Sequence, residues 1–337
     1  MRLEVLPVEG IGDVTAGDDL AELITRAAPW LADGDVLVVT SKIVSKAEGR
    51  LVEVPADEPE RDEARARVLV AETARVVARR GPTTIVQTHH GFVMAAAGID
   101  ASNVDKTHLV LLPADPDASA RRLRADLAAR GLDVAVVISD TMGRAWRNGL
   151  TDVALGAAGI EALLDHRGEI DPYGNELNLT QMAVVDELSA AAELVKGKCD
   201  QVPVAVVRGY PIRPDTTGAG ASVLIRDGES DMFRLGTAEA RAEGLRAAAL
   251  IADGAGPEPG PEPLARVLEL VGAVVTPGIG IVGGTRSLRL TPAGPAPADL
   301  LRLGADAHRI RAAFAAEGLT TRAEFDDDGV TINFGES

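Results

Sequence analysis

The chain has 337 residues, 46% of them hydrophobic, enough for a large core and two or three domains. Its formal net charge is −17, with acidic stretches at 56–63 and 324–328 and no long basic run, which argues against partners that are nucleic acid or anionic membrane. No apolar run approaches the ~18 residues of a membrane span. No charged-then-apolar leader precedes the first strand-like run, and the single cysteine, Cys199, permits no internal disulfide, so the expected location is the cytoplasm.

Apolar β-rich runs predict strands near 2–7, 35–40, 84–87, 107–112, 133–138, 203–208 and 222–225. Amphipathic periodicity predicts helices near 18–31, 61–79, 117–130, 178–195 and 236–252. This alternation belongs to the α/β class, with irregular spacing and Gly-rich loops after several strands, where small-molecule sites tend to sit. Residues 253–263, DGAGPEPGPEP, read as a linker, which divides the chain into a domain at 1–252 and a small α+β module at 264–337. In that module a short helix (264–271), a Gly-rich turn, a helix near 298–316 and a terminal strand VTINF are expected. GIGIVG at 278–283 matches G-x-G-x-x-G formally, but TRSLRL follows and alternates like a strand, so a glycine hairpin or bulge is expected there. No Walker A loop is present.

Four segments carry candidate chemistry. In VLVVTSKIVSKAEGR (36–50) a strand ends in Thr40 and Ser41, and Lys42 and Lys46 return to one helical face. This is a phosphate cradle or, alternatively, a capped helix with solvated lysines. In GFVMAAAGIDASNVD (91–105) small residues precede Asp100 and Asn103, which suit a metal and a base or ribose, or form an Asx turn. ISDTMGRAWRNG (138–149) delivers Asp140 and Thr141 into a turn followed by Arg144, Trp146, Arg147 and Asn148. Hard oxygens there suit a divalent cation, and guanidinium groups suit phosphate or carboxylate; the alternative is a polar strand-end loop. VRGYPIRPDTTGAG (207–220) carries Arg208, Arg213 and Asp215 in a loop that either closes over an anion or merely connects elements. The five histidines, including His89–His90, show no metal spacing and read as structural or solvated.

EGIGDV, TSKIVSKAEGR, GFVMAAAGIDASN, ISDTMGRAWRNG and AAELVKGK, in this order, resemble the coenzyme F420-0:L-glutamate ligases, also called F420:γ-glutamyl ligases, over residues 1 to about 250. The resemblance implies a family-specific mixed α/β fold, a homodimer, and GTP-dependent ligation of L-glutamate to F420-0 followed by γ-linked glutamate. Mg or Mn, two ions by expectation, would assist, with a monovalent cation such as K as a further candidate. By motif it implies GTP positions at Ile11, Gly12, Asp13, Val14, Ser41, Lys46, Asn103 and Lys198, and metal positions at Asp100, Asp140, Thr141 and Gln201. Arg144, Arg147 and Arg213 are candidates to hold the carboxylates or phosphate of the reacting substrates. The tail is too short for the flavin-binding reductase domain fused to many actinobacterial relatives, so no reductase step is expected. Two alternatives stay open: an amide ligase of the same family acting on another carboxylate, and a non-catalytic nucleotide- or deazaflavin-binding relative. The presence of Asp100, Asp140 and Thr141 favours an enzyme.

Overall fold

In the computed structural model, residues 2–102, 104–197, 200–254 and 260–335 are described. The chain divides into two compact units, Met1–Arg234 and Leu235–Ser337. By this division the helix expected at 236–252 belongs with the C-terminal unit.

The first unit contains β1 (Glu4–Val8), α1 (Leu20–Ala27), β2 (Val36–Thr40), α2 (Ser41–Ala47), β3 (Leu51–Glu53), α3 (Glu60–Ala71), β4 (Thr73–Arg80), β5 (Thr83–Thr88), β6 (Val93–Ala95) and β7 (His108–Val110). It continues with α4 (Pro116–Ala128), β8 (Ala135–Arg144), β9 (Arg147–Ala158), β10 (Leu163–Asp165), β11 (Gln181–Ala183), α5 (Val184–Lys196) and β12 (Val204–Arg208). Its main sheet has the order β1-β12-β2-β8-β9. β2 and β8 are parallel, and β12 runs antiparallel to both β1 and β2, so β1, β2 and β8 all point the same way. Val8, Val204, Val39 and Ile138 form one row across four strands.

The continuous apolar runs in these strands follow from burial on both faces. Leu37, Val39, Val136 and Ile138 pack with α1, α2 and α4. Val36, Val38, Val137 and Ala205 pack with α5 and with a 3-10 turn at Gly220–Leu224. The helix starts are locally encoded: the Asp19 and Asp115 carboxylates accept from the N–H groups of Glu22 and Ala118, each at 2.9 Å, and Pro116 opens α4.

The helix expected near 178–195 begins only at Val184, after β11, and three further expected elements differ from the structure. The helix expected over 61–79 stops at Ala71, and residues 73–80 become β4, where Thr73, Arg75 and Val76 gain strand partners in β5. The strand expected at 222–225 is instead the 3-10 turn, because the Asp117 carboxylate gathers the N–H groups of Ala221 at 2.7 Å and Ser222 at 3.1 Å. The turn expected after Ile138 is the far half of a long hairpin. β8 and β9 stay paired from Val136↔Ala158 to Arg144↔Arg147, leaving Ala145 and Trp146 as the turn.

The second unit contains α6 (Thr237–Ala249), α7 (Pro261–Val274), β13 (Gly280–Gly283), β14 (Ser287–Thr291), α8 (Pro297–Ala316), β15 (Thr321–Asp326) and β16 (Gly329–Phe334). Its antiparallel sheet, β13-β14-β16-β15, buries Leu288, Leu290, Val330, Ile332 and Phe334 against Val267, Val271, Ile310 and Phe314. The GIGIVG segment ends in β13 and pairs with β14, so no dinucleotide-binding helix opens there. Among the described residues, no helix is long and apolar enough to cross a membrane.

Candidate functional site

The shared direction of β1, β2 and β8 sends three of the candidate segments to one edge of the main sheet, the C-terminal edge of parallel strands. Glu9–Val14 follow β1, Ser41–Lys46 follow β2, and Asp140–Thr141 lie just past the Thr40↔Ser139 pair. β12 runs the other way, so the residues before it arrive at the same edge: the Thr40 N–H donates to the Pro203 carbonyl at 2.9 Å, two residues after Gln201.

In the first of these loops Ile11 and Val14 are core residues, while Glu9, Gly10, Gly12 and Asp13 are exposed. Ser41 is buried at the start of α2, while Lys42 and Lys46 lie one turn apart on α2. Asn103 and Lys198 lie outside the described residues.

Asp100 reaches this edge through α2. Its carboxylate pairs with Lys42 Nζ at 2.6 Å and accepts from the Ser102 N–H at 2.6 Å, and Lys42 also donates to Ser102 Oγ at 2.8 Å. Burial pushes the Asp100 carboxyl up, but the Lys42 and Ser102 hydrogen bonds outweigh it and hold the group below its ordinary value. The turn before it explains the run of small residues: Ala96, Ala97 and Gly98 have φ of 50°, 55° and 70°. A Cβ at Gly98 would also lie 2.8 Å from Leu112.

Asp140 and Thr141 are adjacent in β8 and therefore point to opposite faces. Asp140 shares its face with Met142, which packs towards Met94 and Leu112, the elements that bracket Asp100. Thr141 shares its face with Ser139 and pairs with Asp152 of β9. Its hydroxyl donates to Asp152 Oδ1 at 2.8 Å, and Ser139 donates to Asp152 Oδ2 at 3.0 Å.

Behind these hydroxyls lies a charge pair that the sequence reading missed. Lys196, the last residue of α5, is 1% exposed, and its Nζ lies 2.9 Å from Asp152 Oδ2, 2.9 Å from Ser139 Oγ and 3.4 Å from Thr40 Oγ1. Burial pushes the Asp152 carboxyl up, yet the Lys196 charge and the surrounding donors prevail and hold it below the ordinary range. A signal was available in sequence: Asp152 and Lys196 each interrupt an apolar run, in LTDVAL and LVKG.

The three arginines are not brought to this row. Arg144 and Arg147 sit exposed at the hairpin end, about 10 Å of strand beyond Thr141 at ~3.4 Å per residue. Arg144 Nη2 there donates to the Asn148 carbonyl at 3.3 Å. Arg213 follows β12, whose direction carries it to the opposite edge. Its carbonyl accepts from the Glu161 N–H at 2.7 Å, beyond the end of β9 that pairs with the start of β8. His89 and His90 Nε2 each lie 3.0 Å from a backbone carbonyl, those of Ala71 and Pro113.

Among the described residues no group of three or more His, Cys, Asp and Glu is placed to hold a metal. The donors at this edge are instead two carboxylates, Asp100 and Asp140, a hydroxyl, Thr141, and the amide of Gln201. This all-oxygen set suits Mg or Mn better than a thiolate- or imidazole-seeking metal.

The family model for F420-0:Gamma-glutamyl ligase matches residues 10–209. The coenzyme F420:L-glutamate ligase of Methanothermobacter thermautotrophicus is 40% identical over 251 residues, covering 69% of this chain and 100% of its own. The coenzyme F420:L-glutamate ligase of Methanopyrus kandleri is 41% identical over 251 residues, 69% of this chain and 98% of its own. The corresponding ligase of Archaeoglobus fulgidus is 41% identical over 247 residues, 69% of this chain and 97% of its own. The matched region includes all four segments that meet at the sheet edge, and on these grounds the chain belongs to the F420-0:gamma-glutamyl ligase family.

Proposed function

We propose that the chain joins L-glutamate to the terminal carboxylate of coenzyme F420-0 and adds further glutamate through the γ-carboxylate, with GTP as the energy source and Mg or Mn as assisting ion. The observation that carries this reading is the convergence of four separated polar segments at one edge of parallel strands, in a chain whose relatives carry the ligase name.

The chemistry sets the requirements. A carboxylate does not accept an amine nucleophile, so it must first be activated. The γ-phosphoryl group of GTP passes to the F420-0 carboxylate, GDP leaves, and the resulting acyl phosphate is attacked by the glutamate amine. The new C–N bond forms as the acyl C–O bond breaks, and inorganic phosphate departs. All three substrates are anionic, and two unit charges held 4 Å apart at a protein surface repel by about 4 kcal/mol.

Lys42 and Lys46 of α2 supply fixed positive charge at this edge. Lys46 is suited to the β- and γ-phosphate oxygens. Asp100, Asp140, Thr141 and Gln201 would hold the divalent metal, whose contribution when bound is to neutralise phosphate charge. The division of donors between the two faces of β8 favours two ions over one shared cage. Lys42 then serves Asp100 as a counter-charge, competing with an ion for the same carboxylate.

We also expect a homodimer. Trp146, 81% exposed, stacks edge-on with the exposed Phe233 at 4.8 Å, and this exposed aromatic pair at the hairpin end is of the kind that marks an interface.

The test is mass spectrometry of reaction mixtures containing purified protein, F420-0, L-glutamate, GTP and Mn or Mg, each left out in turn. Glutamyl addition that needs every component supports the reading. Addition with another carboxylate but not with F420-0 would redirect it to a different acceptor, and nucleotide binding with no product from any acceptor would overturn it.

A further inference from the structure

Lys196 is among the largest fully buried side chains of the described residues, and the proposed reaction makes no use of it. Its ammonium is built into a closed set of partners: Asp152 Oδ2, Ser139 Oγ and Thr40 Oγ1, with Glu193 Oε2 at 3.4 Å. Removing both charges from water at this depth is costly, and an apolar pair of similar volume would hold the fold as well or better. The pair does something an apolar pair would not. Asp152 Oδ1 takes the one hydrogen of the Thr141 hydroxyl, so that the Thr141 oxygen meets any further partner as a lone-pair donor.

We infer that Lys196 and Asp152 are positioning residues that prepare Thr141 as an oxygen ligand for the divalent cation. The inference rests on the reading of Thr141 as a metal ligand. Lys196 keeps Asp152 ionised and fixed from beneath, Ser139 holds its second oxygen, and Asp152 fixes the rotation of the Thr141 hydroxyl. The elements involved are the ends of β2 and α5 and the middles of β8 and β9, which ties the orientation of one hydroxyl to the rigid part of the sheet. Such outer partners typically contribute 10–100-fold to metal affinity.

The experiment measures Mn2+ binding to the full chain without nucleotide or substrate, by the electron paramagnetic resonance signal of free Mn2+, alongside the thermal midpoint. The variants are Asp152→Leu/Lys196→Met, Thr141→Val, the triple combination, and Thr141→Ser, which keeps the hydroxyl. Asp152→Ala/Lys196→Met takes the place of the leucine variant if that one does not fold.

The expected result is a loss of roughly tenfold or more in Mn2+ affinity for the apolar pair at a near-normal midpoint, a loss for Thr141→Val, retention for Thr141→Ser, and no additional loss in the triple variant. Wild-type affinity in the apolar pair, with Thr141→Val weakened, would show a merely structural pair and overturn the inference. A further loss in the triple variant would overturn it too, because the pair would then act other than through Thr141. Wild-type affinity in Thr141→Val would overturn the metal reading on which the inference stands.

Discussion

Replacing Lys196 by methionine alone keeps the length and volume of the side chain but leaves the Asp152 carboxylate with hydroxyl donors and no counter-charge. The pair is almost wholly out of solvent, with side chains 1% and 3% exposed, so water cannot take over from the ammonium. Breaking a pair of this kind costs about 3–5 kcal/mol, which for a unit of this size lowers the thermal midpoint by about 6–20 °C. Asp152→Leu/Lys196→Met should instead lie close to wild type or above it, because no charge remains to be solvated.

The loss should also depend on pH. In the wild type, burial raises the Asp152 carboxyl but the Lys196 charge and hydrogen bonds hold it below its unfolded value, so its contribution is present above that value and is lost on acidification. In Lys196→Met burial dominates and the carboxyl rises above its unfolded value, so the deficit is largest at high pH and shrinks as protonation removes the buried charge. Denaturant melts of the three proteins between about pH 8 and pH 4 measure this directly. A single variant as stable as the double one, or a deficit that does not change with pH, would refute the reasoning.

Four further outcomes are expected. Lys46→Ala should raise the GTP concentration needed for half-maximal rate by roughly tenfold or more, the worth of a charged hydrogen bond, with the thermal midpoint nearly unchanged; unaltered GTP kinetics would remove Lys46 from the site. Asp117→Ala should cost about 3 kcal/mol or more in a chemical melt, because the N–H groups of Ala157, Ala221 and Ser222 lose the carboxylate that accepts from them at 2.8, 2.7 and 3.1 Å. In the C-terminal unit, hydrogen bonding from Arg289 and from the Asp328 N–H lowers the Asp326 carboxyl to about 2, so its share of stability is present above the ordinary carboxylate range and lost only as pH falls towards that value. A carboxyl NMR titration should show that midpoint, and an ordinary one would refute the pairing. Trp146→Glu should shift the molecular mass seen by light scattering from dimer towards monomer, and an unchanged dimer would place the interface elsewhere.

Much of this architecture was legible because the strands at 36–40 and 135–138 are apolar on both faces, and the hydroxyls and acids at their ends interrupt those runs abruptly. The convergence of segments could be expected from the resemblance, but the directions that cause it could not. That β12 runs against β2 decides that Gln201 arrives at the site edge while Arg213 leaves from the other. The hairpin end was misread because Met142–Asn148 shows no alternation of apolar and polar residues; its strand form comes from cross-strand pairing with β9. The 73–80 segment failed for the opposite reason: its arginines suit a helix face, and the choice of strand was made by β5. Asp152 and Lys196 each interrupt an apolar run, but they are far apart in sequence and neither names the other as its partner. Their partnership exists only once α5 packs against the sheet.

The measurement that bears most directly on the whole account is the yield of glutamylated F420-0, by mass spectrometry, from wild type and Asp140→Ala with GTP and Mn, at matched thermal midpoints. Asp140 is half-buried within β8, just past the fully buried run that ends at Ser139, and contributes little to either apolar face, so its loss should leave the fold intact. The account predicts full product from wild type and none from a folded Asp140→Ala protein. Wild-type yield from that variant would contradict it and move the chemistry away from this edge of the sheet.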